Sequence, residues 1–209
     1  MYKNNTLRNV LQSKRFNLYS GALLASLFSI FAYTHFLKFL DTRELSLLLI
    51  IISEALTTAF FLFRSDPKTV SEVPSDWVVA IIGSFTPLFL RPAIDGVLPQ
   101  AEILIALGTI LQIAGLISLN RSFAIVAAKR EIKTKWMYCF VRHPLYASYF
   151  LIFGGYVLVN TTLLNLILYT ITMSFLCLRI FREEKHLSLD PEYQNYMVNV
   201  RYRLIPYIF

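Results

Sequence analysis

The chain has 209 residues, of which 56% are hydrophobic and 16% charged, and its formal net charge is +7. Soluble domains usually carry about 25% charged residues, whereas this chain has long uncharged stretches separated by short charged blocks. Its basic residues sit between apolar runs, which is typical of membrane topology and not of nucleic-acid binding. Composition therefore excludes a soluble fold and a nucleic-acid partner. It predicts an all-α, polytopic integral membrane protein with a single domain, residues 1–209.

Six apolar segments are long enough, or nearly so, to cross a bilayer, which takes about 20 residues. Two of them come from one block, Pro144–Leu178, because the polar triplet Asn160-Thr161-Thr162 near its middle predicts a tight turn. The other four are Phe16–Phe39, Leu45–Phe63, Trp77–Leu90 (extendable to Ile94) and Ala101–Leu119. The sequence thus predicts a bundle of about six transmembrane helices.

The distribution of lysine and arginine predicts the orientation of this bundle. Of the 20 basic residues, 17 fall on one side, beginning with Lys3 and Arg8, and only Lys38, Arg43 and Arg91 fall on the other. Cytoplasmic loops are enriched in lysine and arginine. Both termini are therefore predicted to be cytoplasmic, in the inner membrane of a bacterium or the endoplasmic reticulum of a eukaryote.

The predicted cytoplasmic segment 120–146 contains chemistry that topology alone does not explain. It has no glycine, so it lacks the backbone cradle of Rossmann and P-loop nucleotide sites. Pro144 suits the first turn of a helix, and the free N–H groups there, beside Arg142 and His143, are suited to binding a carboxylate. A histidine at such a position is also often only a cap, and tyrosine near the interface is an expected membrane anchor.

The second segment runs from Arg179 to Tyr202. Arg179 and Glu183 are four residues apart on the continuing last span and share a helix face, which also fits an ordinary surface salt bridge. Asp190-Pro191-Glu192 predicts the start of a short helix. Tyr193, Tyr196 and Val200 line one face of it, so we expect a cytoplasmic amphipathic helix on the membrane surface.

Glu54 is an acid within the second predicted span. Carboxylates at such depth are costly and often functional, but hydrogen bonding or protonation inside the bundle would equally accommodate Glu54. The sequence leaves both readings open.

The order of motifs in the C-terminal half resembles a known family. Arg142-His143-Pro144-Leu145-Tyr146 is followed by two spans and a short turn, then by Arg179, Glu183-Glu184 and Asp190-Pro191-Glu192-Tyr193, and the segment ends in 200–206, VRYRLIP. This order resembles the isoprenylcysteine carboxyl methyltransferase family and its phospholipid methyltransferase relatives. The resemblance covers about 119–206, and residues 1–118 match only in being hydrophobic spans without an assigned role.

The resemblance implies a membrane methyltransferase that uses S-adenosyl-L-methionine and no metal. It implies cofactor contacts from Tyr138, His143, Pro144, Leu145, Tyr146 and Glu183, and from Arg130, Glu131, Ile132 and Lys133 largely through their backbone. Glu183 and Arg179 would be the catalytic pair, with Arg179 binding the acceptor. The implied acceptor is a prenylated or lipid-like molecule that enters from the bilayer and presents a carboxylate or another polar head.

The chain departs from the family at one position, because Trp136 stands where a glycine is usual. The loop around it is expected to take another backbone path or to alter the cofactor pocket. Two other functions fit the architecture: a sterol-type reductase that uses a nicotinamide cofactor, and a non-catalytic membrane scaffold. The Arg179 and Glu183-Glu184 order favours the methyltransferase.

Overall fold

A computed structural model describes residues 9–43, 45–91, 93 and 96–209. Its α-helices are α1 (Lys14–Thr42), α2 (Leu45–Phe63), α3 (Pro74–Phe85), α4 (Glu102–Leu119), α5 (Pro144–Val159), α6 (Leu163–Leu187) and α7 (Pro191–Asn199). Two short strands, β1 (Thr69–Val70) and β2 (Ala128–Lys129), form one antiparallel ladder. The predicted all-α membrane bundle is confirmed. Lys3, Arg8 and Ile94 lie outside the described residues.

Local capping explains where several helices begin and end. The Ser13 hydroxyl oxygen accepts a hydrogen bond from the Phe16 amide at the start of α1, and Thr162 does the same for Asn165 at the start of α6. Such side-chain acceptors satisfy N–H groups that the first helical turn leaves unpaired. Because α5 ends at Val159 and α6 begins at Leu163, the predicted turn at 160–162 is confirmed.

The third span is the one whose bounds differ most from the prediction. α3 begins earlier than Trp77, at Pro74, and ends at Phe85, after which a 3₁₀ helix covers Thr86–Phe89. Pro87 explains the change, because proline lacks an N–H and its ring clashes with the carbonyl four residues earlier in an α-helix. With 12 residues, α3 is only about 18 Å long.

Within the described residues, three helical segments are long and apolar enough to cross a membrane: Lys14–Asp41, Pro99–Ser122 and Leu163–Leu187. Leu48–Phe63 and Pro144–Val159 are shorter apolar helices. The protein is therefore an integral membrane protein. The count of six spans and the cytoplasmic location of both termini remain predictions.

Helix pairs α1–α2, α4–α5 and α3–α6 make the main contacts of the bundle. Glycines allow α4 and α5 to approach closely: a Cβ at Gly155 would lie 2.9 Å from the Ala101 carbonyl oxygen, and one at Gly108 would lie 2.9 Å from the Ile152 nitrogen. Small residues at helix contacts are a common packing solution in membranes. The β1–β2 ladder, in which Thr69 pairs with Lys129, joins the loop after α2 to the loop after α4 at one end of the bundle.

Candidate functional site

One cavity of about 620 Å³ runs through the bundle, a volume typical of small-molecule sites. At one end its wall is formed by α7, the loop after β2 and the C-terminal part of α6; at the other it reaches between α1 and α2. The sequence-predicted residues on its wall are Arg130, Glu131, Ile132, Lys133, Tyr138, His143, Leu145, Tyr146, Arg179 and Glu183. The fold thus brings together residues that lie as much as 53 positions apart in the chain.

Glu183 and Arg179 lie one helical turn apart on α6, and both line the cavity. The Glu183 carboxylate accepts a hydrogen bond of 2.7 Å from the Tyr146 hydroxyl. Among the described residues, no salt bridge joins Arg179 to Glu183. Both charges are therefore held toward the cavity without neutralising each other.

Arg179 is a buried cation whose partners are neutral. Its guanidinium donates to the Ser84 hydroxyl at 2.9 Å and to the Ala124 carbonyl at 3.2 Å, and it lies 5.3 Å from the centre of the Tyr146 ring. Its Nε forms no hydrogen bond with any described residue. Since a buried charge is costly without a counter-charge, this cation is suited to an anionic group in the cavity.

Glu184, the neighbour of Glu183, faces the protein interior. Its Oε1 accepts from Arg142 Nε at 2.7 Å and lies 3.1 Å from His143 Nε2, and its Oε2 accepts from Arg203 Nε at 2.9 Å. The sequence predicted that Arg142, His143 and the start of α5 could bind a carboxylate. The structure shows that the Arg142 and His143 side chains bind one from the protein itself.

The chain after α7 is fastened to the same residues. Arg142 donates from its side chain to the Val200 and Arg201 carbonyls at 2.7 and 2.8 Å. The backbone amides of Arg142 and His143 donate to the Tyr202 and Arg203 carbonyls at 2.9 and 2.8 Å. This arrangement gives a physical reason why the RHP segment and the segment 200–206 occur together.

The tyrosines of α7 pack on protein, which corrects the prediction that this face lies on the membrane. Tyr193 and Tyr196 are only 4% and 5% exposed and cluster with Tyr138 and Val200. The Tyr196 hydroxyl donates to the Tyr138 carbonyl at 2.7 Å. Burial, with a smaller contribution from the Glu183 charge, raises the pKa of Tyr138 well above its usual value. The amphipathic helix itself is confirmed, with Asp190 as its N-cap.

The segment Arg130–Lys133 follows β2 along the cavity wall. The backbone groups of Glu131, Ile132 and Lys133 form no hydrogen bond with the described part of the chain, so they are available to a ligand. Lys133 pairs with Glu131 at 2.6 Å. The Arg130 side chain instead points away into a buried cluster, where its Nη2 donates to Asn17 Oδ1 at 3.1 Å.

Pro144 and Leu145 contribute to the site differently. Pro144 is the first residue of α5 and is fully buried; it is not among the residues on the cavity wall. Leu145 lines the cavity and packs close to Gly115, where an added Cβ would lie 2.9 Å from Leu145 Cδ2.

Trp136 occupies the position of the family glycine with a left-handed backbone, φ 58°. A positive φ is a conformation that favours glycine, and whether this loop takes another backbone path than in the family remains a prediction. The Trp136 side chain is 74% exposed and does not line the cavity.

Comparisons with known proteins bear on the residues of this cavity. The model of the phospholipid methyltransferase family matches residues 100–190, and no curated protein matches the chain. Residues 100–190, a little under half of the chain, are therefore similar to this family. The resemblance drawn from the motifs is confirmed for this segment.

One end of the cavity is lined by Tyr138, Tyr146, Tyr193 and Tyr196 and is called the tyrosine-lined end. The matched region contains most of the wall at this end, from Arg130 to Glu183. It ends before Tyr193 and Tyr196, which also line the cavity and which sequence reasoning had assigned to the membrane surface. Their spacing on one helix face predicted burial, but did not identify what buries them. Ser84 of α3, which holds Arg179, gave no signal in the sequence.

Glu54 pairs with His35 of α1, whose Nδ1 lies 3.0 Å from Glu54 Oε2, at the far end of the cavity. Glu54 is thus hydrogen-bonded inside the bundle, with His35 as its partner. Among the described residues, no group of three or more His, Cys, Asp or Glu side chains is placed to hold a metal ion.

Proposed function

We propose that this protein transfers a methyl group from S-adenosyl-L-methionine to the carboxylate, or another polar head, of a prenylated or lipid-like acceptor. The observation that carries the proposal is that Arg179 and Glu183, one turn apart on α6, face a single cavity. Tyrosines and open backbone groups line one end of this cavity, and apolar helices line the rest. The family match favours methyl transfer over a nicotinamide-dependent reductase or a scaffold.

The residues at the tyrosine-lined end fit the cofactor chemically. The Glu183 carboxylate suits an ammonium group, and it is oriented by the Tyr146 hydroxyl. The open backbone amides of 131–133 suit a carboxylate. Tyr138, Tyr193 and Tyr196 provide aromatic faces for adenine. His143 lies beside Tyr146, with ring centres 5.4 Å apart, and is fixed by Glu184.

When bound, the cofactor would supply an electrophilic methyl group for transfer to an acceptor oxygen, and the electron pair of the broken sulfur–carbon bond would stay on sulfur. Arg179 would hold the acceptor carboxylate one helical turn from Glu183, so the two reactants are oriented by one rigid helix. Because a carboxylate has no proton to lose in this reaction, the side chains need only position the reactants and exclude water. An acceptor with a lipid tail would enter through the apolar part of the cavity.

The first test is calorimetric binding of S-adenosylhomocysteine to the detergent-purified protein. Glu183→Gln is expected to weaken binding at least about tenfold, because a hydrogen bond to a charged group is worth about 1.5–3 kcal/mol. Glu192→Gln, which removes an exposed acid of α7, serves as the control and should bind normally. A folded wild-type protein that binds a nicotinamide dinucleotide but no S-adenosylhomocysteine would refute the proposal.

The second test separates acceptor binding from cofactor binding. Arg179→Gln is expected to retain S-adenosylhomocysteine affinity but to lose incorporation of labelled methyl groups into a membrane lipid extract. Label released as methanol by mild base identifies a methyl ester, whereas base-stable label identifies an amine or thiol acceptor. Normal methylation by Arg179→Gln would remove this residue from the mechanism.

A further inference from the structure

A second, smaller pocket of about 90 Å³ lies at the end of the bundle where α1 begins and α2 ends. Its volume is several times the ~10–15 Å³ that one water molecule needs. Two arginines line it, Arg64 directly after α2 and Arg130 directly after β2, together with Asn17 of α1. Apolar residues, among them Phe16 and Trp77, complete its wall. None of these side chains except Arg130 belongs to the proposed methyl-transfer site.

Both guanidinium groups are held by Asn17, which fixes them in one place. Arg64 Nη2 donates to the Asn17 carbonyl at 2.8 Å and to the Ser20 hydroxyl at 2.6 Å. Arg130 Nη2 donates to Asn17 Oδ1 at 3.1 Å, and Asn17 Nδ2 donates to Asp66 Oδ1 at 2.9 Å. The pocket is thus built by hydrogen bonds within the protein and does not depend on flexible surface side chains.

Several donors of the two guanidinium groups have no partner. Arg130 is only 6% exposed, yet its Nε and Nη1, like Arg64 Nε, form no hydrogen bond with any described residue. Asp66 accepts a hydrogen bond from Asn17 Nδ2 and lies near Arg130, but it forms no salt bridge with either arginine among the described residues. Residues 1–8, which precede this end of α1, contain no Asp or Glu. Burial and the proximity of Arg64 lower the pKa of Arg130 to about 10, so it remains charged near neutrality.

We propose that this pocket binds a phosphate group, with Arg130 and Arg64 as its ligands. Buried guanidinium donors without partners match the several acceptor oxygens of a phosphate, which arginine binds through pairs of N–H groups. The pocket lies where the apolar helices α1 and α2 meet the following loops, which is where the head groups of surrounding lipids would lie, and its apolar wall suits a glycerol backbone. The source is therefore the phosphate of an anionic membrane lipid, and free phosphate is the other source that the experiment distinguishes.

A phosphate bound in the smaller pocket would affect the larger cavity through Arg130. This residue lines both cavities, and it precedes the open backbone segment 131–133. A bound phosphate would give the Arg130 side chain further partners beside Asn17 and would thereby constrain the start of this segment. The inference concerns a site separate from methyl transfer, and its test does not use activity.

The test is the thermal unfolding midpoint of the detergent-purified full chain, titrated with short-chain phosphatidic acid, with phosphatidylcholine of the same chain length, and with inorganic phosphate. A ligand that binds only the folded state raises the midpoint with concentration. The matched variants are Arg130→Gln, Arg64→Gln and, as the control, Arg15→Gln, which removes an exposed charge from the same end of α1.

We expect phosphatidic acid to raise the midpoint of the wild type and of Arg15→Gln. Arg130→Gln and Arg64→Gln should each weaken the apparent affinity about tenfold or more. Stabilisation by inorganic phosphate with the same dependence on Arg130 would support the site and assign it to free phosphate. Equal stabilisation of all variants, or none in the wild type, would overturn the proposal. Unliganded Arg130→Gln should unfold no earlier than the wild type, which separates loss of binding from misfolding.

Discussion

Glu183 and Glu184 are adjacent acids with separate tasks. Glu183 faces the cavity, whereas the Glu184 carboxylate is hydrogen-bonded to the side chains of Arg142, His143 and Arg203. Glu184→Gln would leave those cations buried without their shared counter-charge, so it is expected to lower the free energy of unfolding by about 3–5 kcal/mol. Glu131→Gln, which breaks an exposed pair with Lys133, should leave stability unchanged. The measurement is unfolding in mixed detergent micelles, and equal stability of the two variants would contradict this role of Glu184.

Trp136 provides a second prediction at the scale of a single residue. Its left-handed backbone costs most residues about 1–2 kcal/mol, and glycine escapes that cost. Trp136→Gly is therefore expected to be about 1 kcal/mol more stable than Trp136→Ala. The two variants lose the same exposed ring, so their difference in unfolding midpoint isolates the backbone. An Ala variant as stable as the Gly variant would show that the loop does not keep φ 58°.

The positions of the charged residues on α6 could be predicted from the sequence, but their partners could not. The pattern of Arg179 and Glu183 predicted a common face, because spacing along a helix is local information. It did not predict which partner each charge would have. Glu184 finds Arg203 only through the fold, and Arg179 finds Ser84, 95 positions away.

At the scale of the elements, the contact between α4 and α5 depends on glycine. Gly155→Ala places a methyl group 2.9 Å from the Ala101 carbonyl and 3.1 Å from the Ile105 nitrogen. Since backbone atoms cannot step aside, we expect a loss of about 1–3 kcal/mol. The adjacent Gly154→Ala meets only the Tyr169 ring, at 3.4 Å or more, and should be tolerated. Unfolding of both variants, measured in parallel, checks the contrast, and a stable Gly155→Ala would contradict the close packing.

Most helices could be predicted from the sequence, because their bounds depend on local features. α2 begins and ends where predicted, at Leu45 and Phe63, and the polar turn at 160–162 separates α5 from α6. The prediction of α3 was less accurate, because the apolar segment continues beyond Pro87 whereas the α-helix ends at Phe85. The α7 tyrosines were assigned to the membrane because lipid and protein interiors are both apolar. A pattern on one face does not distinguish them.

At the scale of the whole molecule, the orientation in the membrane remains the main prediction. With 17 of 20 basic residues on one side, reporters fused before Met1 and after Phe209 should both lie in the cytoplasm. Cysteine labelling in intact cells is the measurement. Exposure of one terminus to an impermeant reagent outside would contradict an even number of spans, and exposure of both would contradict the predicted orientation.

The fastening of segment 200–203 to the start of α5 has a consequence for biosynthesis. His143, Glu184 and the first turn of α5 acquire their last partners only when Arg203 is available. At about 5–20 residues added per second, α5 and α6 exist for some seconds before that partner does. During this time Glu184 lacks one of its three side-chain partners, Arg203, although the residues that line the cavity, the last of which is Tyr196, have been synthesised. A premature stop at Tyr202 would therefore leave the cavity-lining residues in the chain but would remove Arg203 from Glu184 and the carbonyl acceptors from the Arg142 and His143 amides.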